Sequence, residues 1–517
     1  MQFTIAAVVL LALPLLRASD SGQPEPRLLD LNVIAFDNHG QQVTDLTADD
    51  FQITDAGKPQ KISFFRVNQP NSREPASPLG PHEFSNRVPG ESRGATVILF
   101  DLLNLGFGAR GMATNQIEHD LPQITEGANS IYMYVLSVDG GLFPVRDIRP
   151  PADPADPDAG PAPSPEPASA PWTRQTKPML DTVLRAVTRI RSVDIDVFVR
   201  ILLTFRGLET LGSRVAAIPG RKNIVWVTDG VPFFLGEMRS DTGEPIDFTP
   251  EIRKLCEALD SAYVSLYPVR QIMMGRSDNI GATSDGDGAT GGGGTGMSEI
   301  ATLDLFAGLT GGRPSVDKVI GAAIQQSMRD LSFSYQLGYY PPPGNWDDKF
   351  HKLKVTTKRK GLRIQVKTGY YAWKLAAGDR SGDAFTATAN APFDAAEIGL
   401  RATVSPDPAH HGEPLVTLRI NARDLSLVPE GDRYTDQLRI MTVRFLPSGP
   451  IAAGPPIPLD LHFSAAERDR ALKDGISVAE TIVPGRDESK YRVMVFDRGS
   501  NGVGSITIPA DQLHVQQ

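Results

Sequence analysis

Thr96-Val-Ile-Leu-Phe100, followed at once by Asp101, is an almost unbroken apolar run. A strand with one wet face alternates apolar and polar residues, whereas a continuous run marks a strand covered on both faces. Three further stretches read the same way: Ile131-Tyr-Met-Tyr-Val-Leu-Ser-Val138, Ile224-Val-Trp-Val-Thr228 and Tyr263-Val-Ser-Leu-Tyr267. Helical spacing lies between and after them. It runs over Arg110–Ile124, through Met179, Leu180, Val183, Leu184, Val187 and Ile190, and over Val197–Leu211, Pro250–Ser261, Ser298–Leu309 and Lys318–Leu331. Thr310-Gly-Gly312 supplies a glycine stop, and Asp139-Gly-Gly141 a tight turn into Leu142-Phe-Pro-Val-Arg146. Short buried strands alternating with helices predict a doubly wound, mostly parallel sheet over residues 94–331, with inserted linkers at 149–175 and 275–297.

The flanks follow a different pattern. Leu29-Asp-Leu-Asn-Val-Ile-Ala-Phe36 alternates as a half-buried strand should, and it opens a β module predicted over 28–68, with strands at Val43–Leu46, Asp50–Thr54 and Lys61–Val67. Residues 69–93, rich in Pro, Ser, Gly and Asn, read as a linker. A β-hairpin extension over 332–374 is expected to pack with the N-terminal module. Its locally basic stretch Lys352–Lys367 reads as a solvated hairpin tip. Spaced strands at Glu413–Ile420, Leu438–Phe445, Leu459–Phe463 and Tyr491–Phe496 predict a C-terminal Ig-like β-sandwich over 390–512. The fold class expected is therefore multidomain, α/β plus β.

Over 517 residues the formal charge is −9, with no long Lys/Arg run. That argues against nucleic acid as the main partner, because such binding needs a basic footprint that displaces counterions. The apolar run Ile5–Leu16 before Arg17-Ala-Ser-Asp20 is short for a membrane span and suits a secretory signal over residues 1–19; a buried N-terminal element is the competing reading. No transmembrane segment is expected after it. The anticipated location is periplasmic or extracellular. Cys256 is the only cysteine, so neither an intrachain disulfide nor a thiolate-rich metal cage can form.

Val43-Thr-Asp-Leu-Thr-Ala-Asp-Asp-Phe51 leads into Asp55-Ala-Gly-Lys-Pro-Gln-Lys-Ile62. Then follow Leu99-Phe-Asp-Leu-Leu-Asn104, Arg221-Lys-Asn-Ile-Val-Trp-Val-Thr-Asp-Gly230, and Tyr335-Gln-Leu-Gly-Tyr-Tyr-Pro341 with Thr368-Gly-Tyr370. In that joint order, over residues 28–372, the chain resembles the von Willebrand factor A (vWA)-related proteins abundant in Acidobacteria. The resemblance implies a vWA-like doubly wound domain and a role in binding proteins or surfaces. It also implies a metal-ion-dependent adhesion site, with Asp-x-Ser-x-Ser after the first strand, a loop Thr, and an Asp after the fourth strand. Mg²⁺ wants an octahedron of hard oxygens with one position left for a partner's carboxylate. Asp101 and Asp229 match that pattern, but Leu103 and Leu105 occupy the two serine positions and Asn104 stands one residue out of register. Asp101, Asn104 and Asp229 are thus the candidate ligands of a degenerate site for Mg²⁺ or Mn²⁺. The competing reading is that Asp101 and Asp229 cap turns or helix N-termini.

No Gly-x-Ser-x-Gly elbow is present, and Cys256 falls inside an apparent helix, so no nucleophile is assigned and no catalytic residue is expected. His410-His411 sit in a Pro/Gly-rich turn. Gly291–Gly294 lacks the Gly-Lys-Ser/Thr of a phosphate loop, and Asp285–Gly288 lacks the closing Glu of a calcium loop. Tyr335, Tyr339, Tyr340, Tyr370 and Tyr371 read as cross-strand packing on two neighbouring strands, with an exposed binding face as the rival. The expectation is an exported, non-enzymatic binding or scaffold protein with a protein or cell-envelope partner. A metal-dependent hydrolase around Asp101, Asp139 and Asp229, or a purely structural envelope component, are the alternatives.

Overall fold

The run that opens the α/β region forms the strand Ala95–Asp101, and all seven of its residues are buried. The computed structural model describes residues 28–68, 79–87, 94–120, 130–147, 172–187, 196–231, 237–239, 245–271, 299–315, 319–374, 381–391, 393–410, 413–485 and 487–513. The expected signal over 1–19, the insertion 275–297 and His411 lie outside the described residues, as does most of 69–93 and of 149–175. The protein is a mixed α/β structure with strands in several sheets, one of them mostly parallel.

That sheet has five strands in the order Val264–Arg270, Lys222–Thr228, Ala95–Asp101, Ser130–Leu136, Leu142–Arg146. The first four run parallel and the last returns antiparallel through the Asp139–Gly141 turn. Alternation along each strand sends side chains to opposite faces. Val97, Leu99 and Trp226 meet the helices Val197–Val215, Thr249–Ser261 and Glu299–Thr310 through Ile201, Leu255 and Phe306. Ile98, Phe100 and Val225 meet Phe107–Asp120, Trp172–Val187 and Ile320–Leu331 through Ala113, Leu180 and Ile324. The second of these helices begins inside the expected 149–175 linker. Gly312, just past the helix Glu299–Thr310, cannot be replaced without a shift: a Cβ there would lie 1.9 Å from the Leu266 carbonyl oxygen.

Chain segments far apart in sequence build a second unit. One sheet runs Arg363–Gln365, Leu29–Phe36, Ser334–Tyr339, Phe64–Asn68. Another runs Gly369–Tyr371, Phe350–Thr357, Phe51–Asp55, Lys58–Gln60. Leu31, Val33, Phe51, Ile53, Leu337 and Val355 share one core between them. The strands Phe350–Thr357 and Arg363–Gln365 pair in different sheets, so the Lys358–Gly361 segment is a crossover and not a hairpin tip. Residues 43–46 are not a strand; Leu46 packs into the core and its N–H donates to the Tyr335 hydroxyl at 3.0 Å. Tyr335 and Tyr370 belong to separate sheets and not to neighbouring strands. The tyrosine cluster therefore packs across the core, where Tyr335, Tyr339 and Tyr370 are buried.

The C-terminal strands form two antiparallel layers over a common core of Leu400, Val416, Leu418, Leu438, Val493 and Ile506. One layer is Ile476–Thr481, Pro414–Ile420, Leu400–Pro406 and Glu83–Ser85. The other is centred on the long strand Arg433–Leu446, which pairs with Lys490–Asp497 and Ile457–Phe463. Glu83–Ser85 corrects the linker reading of 69–93. Its neighbours explain why it docks. Asn86 donates through Nδ2 to the Ala395 and Ile398 carbonyls at 2.7 and 2.9 Å, and the Arg87 guanidinium pairs with buried Asp424 at 2.8 Å.

At the start of its strand, fully buried Lys222 pairs with Glu397, in the segment leading to Leu400–Pro406, and donates to the Ile218 carbonyl at 2.9 Å. Arg221 donates to Asn32 Oδ1 at 2.5 Å, to Asn223 Oδ1 at 3.0 Å and to the Gly311 carbonyl at 3.1 Å. A buried ammonium left without its carboxylate is strongly unfavourable. Glu397→Ala is accordingly expected to lower unfolding free energy by about 3–5 kcal/mol in urea titrations, with Glu397→Gln losing less. An unchanged midpoint for Glu397→Ala would refute the pairing.

Candidate functional site

The register Phe100↔Val227 between parallel neighbours sets Asp101 beside Thr228, with Asp229 next along the chain. Both candidate carboxylates therefore stand on one rim, at the carboxyl ends of the strands, where open α/β sheets bind ligands.

Asp101 is wholly buried. Its Oδ2 accepts hydrogen bonds from Trp226 Nε1 at 2.9 Å, Thr228 Oγ1 at 2.9 Å and Asn104 Nδ2 at 2.7 Å, and its Oδ1 accepts from the Asn104 backbone N–H at 3.1 Å. Burial pushes the carboxyl above the ordinary aspartate range, against the pull of those donors. Asn104 also donates to Thr204 Oγ1, on the helix Val197–Val215, at 2.9 Å; its own Oδ1 is buried without a partner among the described residues. Leu103 and Leu105 are buried, and they join the cores on opposite faces of the sheet. The two positions that carry hydroxyls in the adhesion-site pattern thus pin the loop from both sides.

Asp229 is half-buried, and its Oδ2 accepts from the Gly106 N–H at 3.2 Å. Gly106 begins the helix Phe107–Asp120, since its carbonyl takes the first intrahelical bond from Arg110 at 3.0 Å. A carboxylate there also meets the positive end of the helix dipole. Asp139 is held in its own exposed turn by Ser137 Oγ and by the Gly141 N–H at 3.2 Å.

A divalent cation needs free oxygen lone pairs pointing at one spot. Around Asp101 the lone pairs are taken by N–H and O–H donors, and Asn104 turns its NH₂ toward the carboxylate. Among the described residues, no three His, Cys, Asp or Glu side chains converge where a metal could be held. The set Asp101, Asn104 and Asp229 does not fit Mg²⁺ or Mn²⁺.

The remaining candidates resolve into local roles. Cys256 lies half-buried on its helix, and burial pushes the thiol up to about 12, far from the thiolate a nucleophile requires. His410 Nδ1 pairs with Asp407 Oδ2 at 2.7 Å inside its turn. Tyr340 and Tyr371 are half-buried, and Tyr371 stacks on Trp373 at 4.8 Å.

Two groups escaped sequence reasoning. Asp55, wholly buried, accepts from Asn345 Nδ2 at 3.0 Å and from the Tyr370 hydroxyl at 3.0 Å, and pairs with His351 Nδ1 at 3.1 Å. His351 Nε2 in turn faces Asp347 at 3.1 Å. The available signal was phase: Phe51, Ile53 and Asp55 share the inward side of one strand, and a carboxylate there must find donors. The second group is Asp30, on the wall of a cleft of about 1050 Å³ between the α/β layers and the β units. It accepts from Gln336 Nε2 while its Oδ1 has no hydrogen-bond partner among the described residues, and burial pushes the carboxyl up to about 6.

No protein-family model and no curated protein sequence matches the chain.

Titration calorimetry with Mg²⁺ or Mn²⁺ is expected to give no saturable heat, and Asp101→Ala to cost on the order of 3 kcal/mol by orphaning buried donors. A saturable heat that disappears in Asp101→Ala would restore the metal site. For Asp30, the fold favours the protonated form. Its contribution is present below the ordinary value of 3.8 and is lost as pH rises through about 6. Denaturation midpoints measured across that window should fall with pH, and Asp30→Asn should flatten the decline.

Proposed function

We propose that this chain is an exported, non-enzymatic binding protein whose α/β part is a vWA-like domain that works without a metal. The doubly wound sheet and the shared rim of Asp101 and Asp229 support the kinship. One observation carries the functional reading: Trp226, Thr228 and Asn104 all donate into Asp101. The acid that would hold a cation is thereby a structural pin, and recognition falls to surface shape and charge. The chemistry of the other candidates favours binding over turnover, because among the described residues none of them is an activated nucleophile beside a base and an orienting acid. The partner belongs to the protein or envelope class.

The test is a crosslinking pull-down with the mature chain from native envelope extract, run with and without a chelator. A discrete protein captured equally in both arms is the expected result. Capture abolished by the chelator, or co-sedimentation with wall material alone, would overturn the reading. So would hydrolysis of generic ester or phosphoester substrates that Asp229→Ala abolishes.

A further inference from the structure

A cleft of about 690 Å³ opens where the N-terminal sheet, the α/β sheet and the C-terminal layers meet. One wall is the whole strand Phe64–Asn68. On one side this strand pairs with Ser334–Tyr339; on its other side no strand pairs with it among the described residues. Val67 on this strand is 41% exposed. The facing wall is built from Ala422–Leu425, Leu427 and Tyr434, and Arg66 Nη2 reaches across to the Leu425 carbonyl at 2.7 Å.

The charges in the cleft are unbalanced. Its two lining carboxylates are already neutralised, Asp424 by Arg87 and Glu397 by Lys222. Arg468 lines it paired with Asp469 at 2.6 Å, and Arg66, Arg221 and Arg423 line it as well. Among the described residues each of these last three spends its guanidinium on neutral oxygens: Arg66 on Leu425, Arg221 on Asn32, Asn223, Tyr267 and Gly311, Arg423 on Leu472 at 2.9 Å. A concave site in which three arginines have no carboxylate partner among the described residues raises the local concentration of negative groups.

We infer that this cleft takes an extended acidic segment of a partner protein, added as a further strand along Phe64–Asn68. An open strand edge presents N–H and C=O groups at strand spacing, which only another extended backbone can satisfy in register. Alternation then sends one set of side chains to the Arg66 side of the strand, toward the facing wall with Arg423, and the other to the Phe65 side. The partner sequence that fits alternates Asp or Glu with apolar residues. This inference rests on the binding-protein reading and names the chemistry of what is bound.

Fluorescence anisotropy with the full chain tests it, using a labelled eight-residue peptide that alternates Glu and Val. Saturable binding is expected. It should weaken tenfold or more in Arg423→Glu, at an exposed position where folding is not at stake, and in added salt. N-methylation of the peptide along one edge should abolish it, because the strand's donors are removed while its charge is kept. A Lys/Val peptide should not bind. Equal binding of the N-methylated peptide, full displacement by inorganic phosphate, or equal binding of the Lys/Val peptide would overturn the inference. So would absence of binding by the Glu/Val peptide; if the pull-down still captured a protein, only the site would fall and the binding function would stand.

Discussion

Arg221 and Lys222 stand at the entrance to a buried parallel strand, and strand geometry sends their side chains to opposite sides. The guanidinium reaches Asn32 of the N-terminal sheet, and the ammonium reaches Glu397 ahead of the C-terminal layers. Neither charge can be buried here without those partners, because the desolvation of an isolated cation exceeds what apolar packing nearby could return. The sheet, the N-terminal strands and the C-terminal layers are thus obliged to meet at one place. Both clefts lie at this junction, and Arg221 and Glu397 line each of them.

At the opposite rim the same logic runs with the sign reversed. Asp101 is a carboxyl group buried at a strand end, and the chain surrounds it with hydrogen-bond donors in place of a cation. Leu103 and Leu105 fix the loop by apolar packing. The carboxylate oxygens of Asp101 are engaged by donors, and the loop after it is held by apolar contacts on both faces. On the proposed reading as a binding protein, recognition rests on complementarity of shape and charge, and the junction clefts are its place.

Much of the α/β layering was legible because both strand and helix periods were strong. Thr96–Phe100 became Ala95–Asp101, and Pro250–Ser261 became Thr249–Ser261. The mixed α/β class with one mostly parallel sheet follows from that reading. Partnerships were less legible, since period says which face is buried and nothing about which strand lies alongside. Tyr335 and Tyr370 therefore looked adjacent and proved to sit in separate sheets that share one core. Glu83–Ser85 was hidden in a Pro/Ser-rich stretch, because its place is set by Asn86 and Arg87 reaching a region over three hundred residues away. The residues of the metal pattern could be found by spacing. That their lone pairs were spent on Trp226 and Thr228 could not, because those donors sit on a neighbouring strand.

The strand Ser334–Tyr339 lies between Leu29–Phe36 and Phe64–Asn68, and the side-chain contact from Asn32 to Ser334 spans 302 positions. During synthesis the first β strands emerge with no sheet to join. They wait, with open edges, until nearly the whole α/β region has left the ribosome. Such high contact order makes closure slow and leaves those strands open to mispairing in the interval. A chain wired this way gains from a chaperone that keeps its leading segment apart until the central strand arrives.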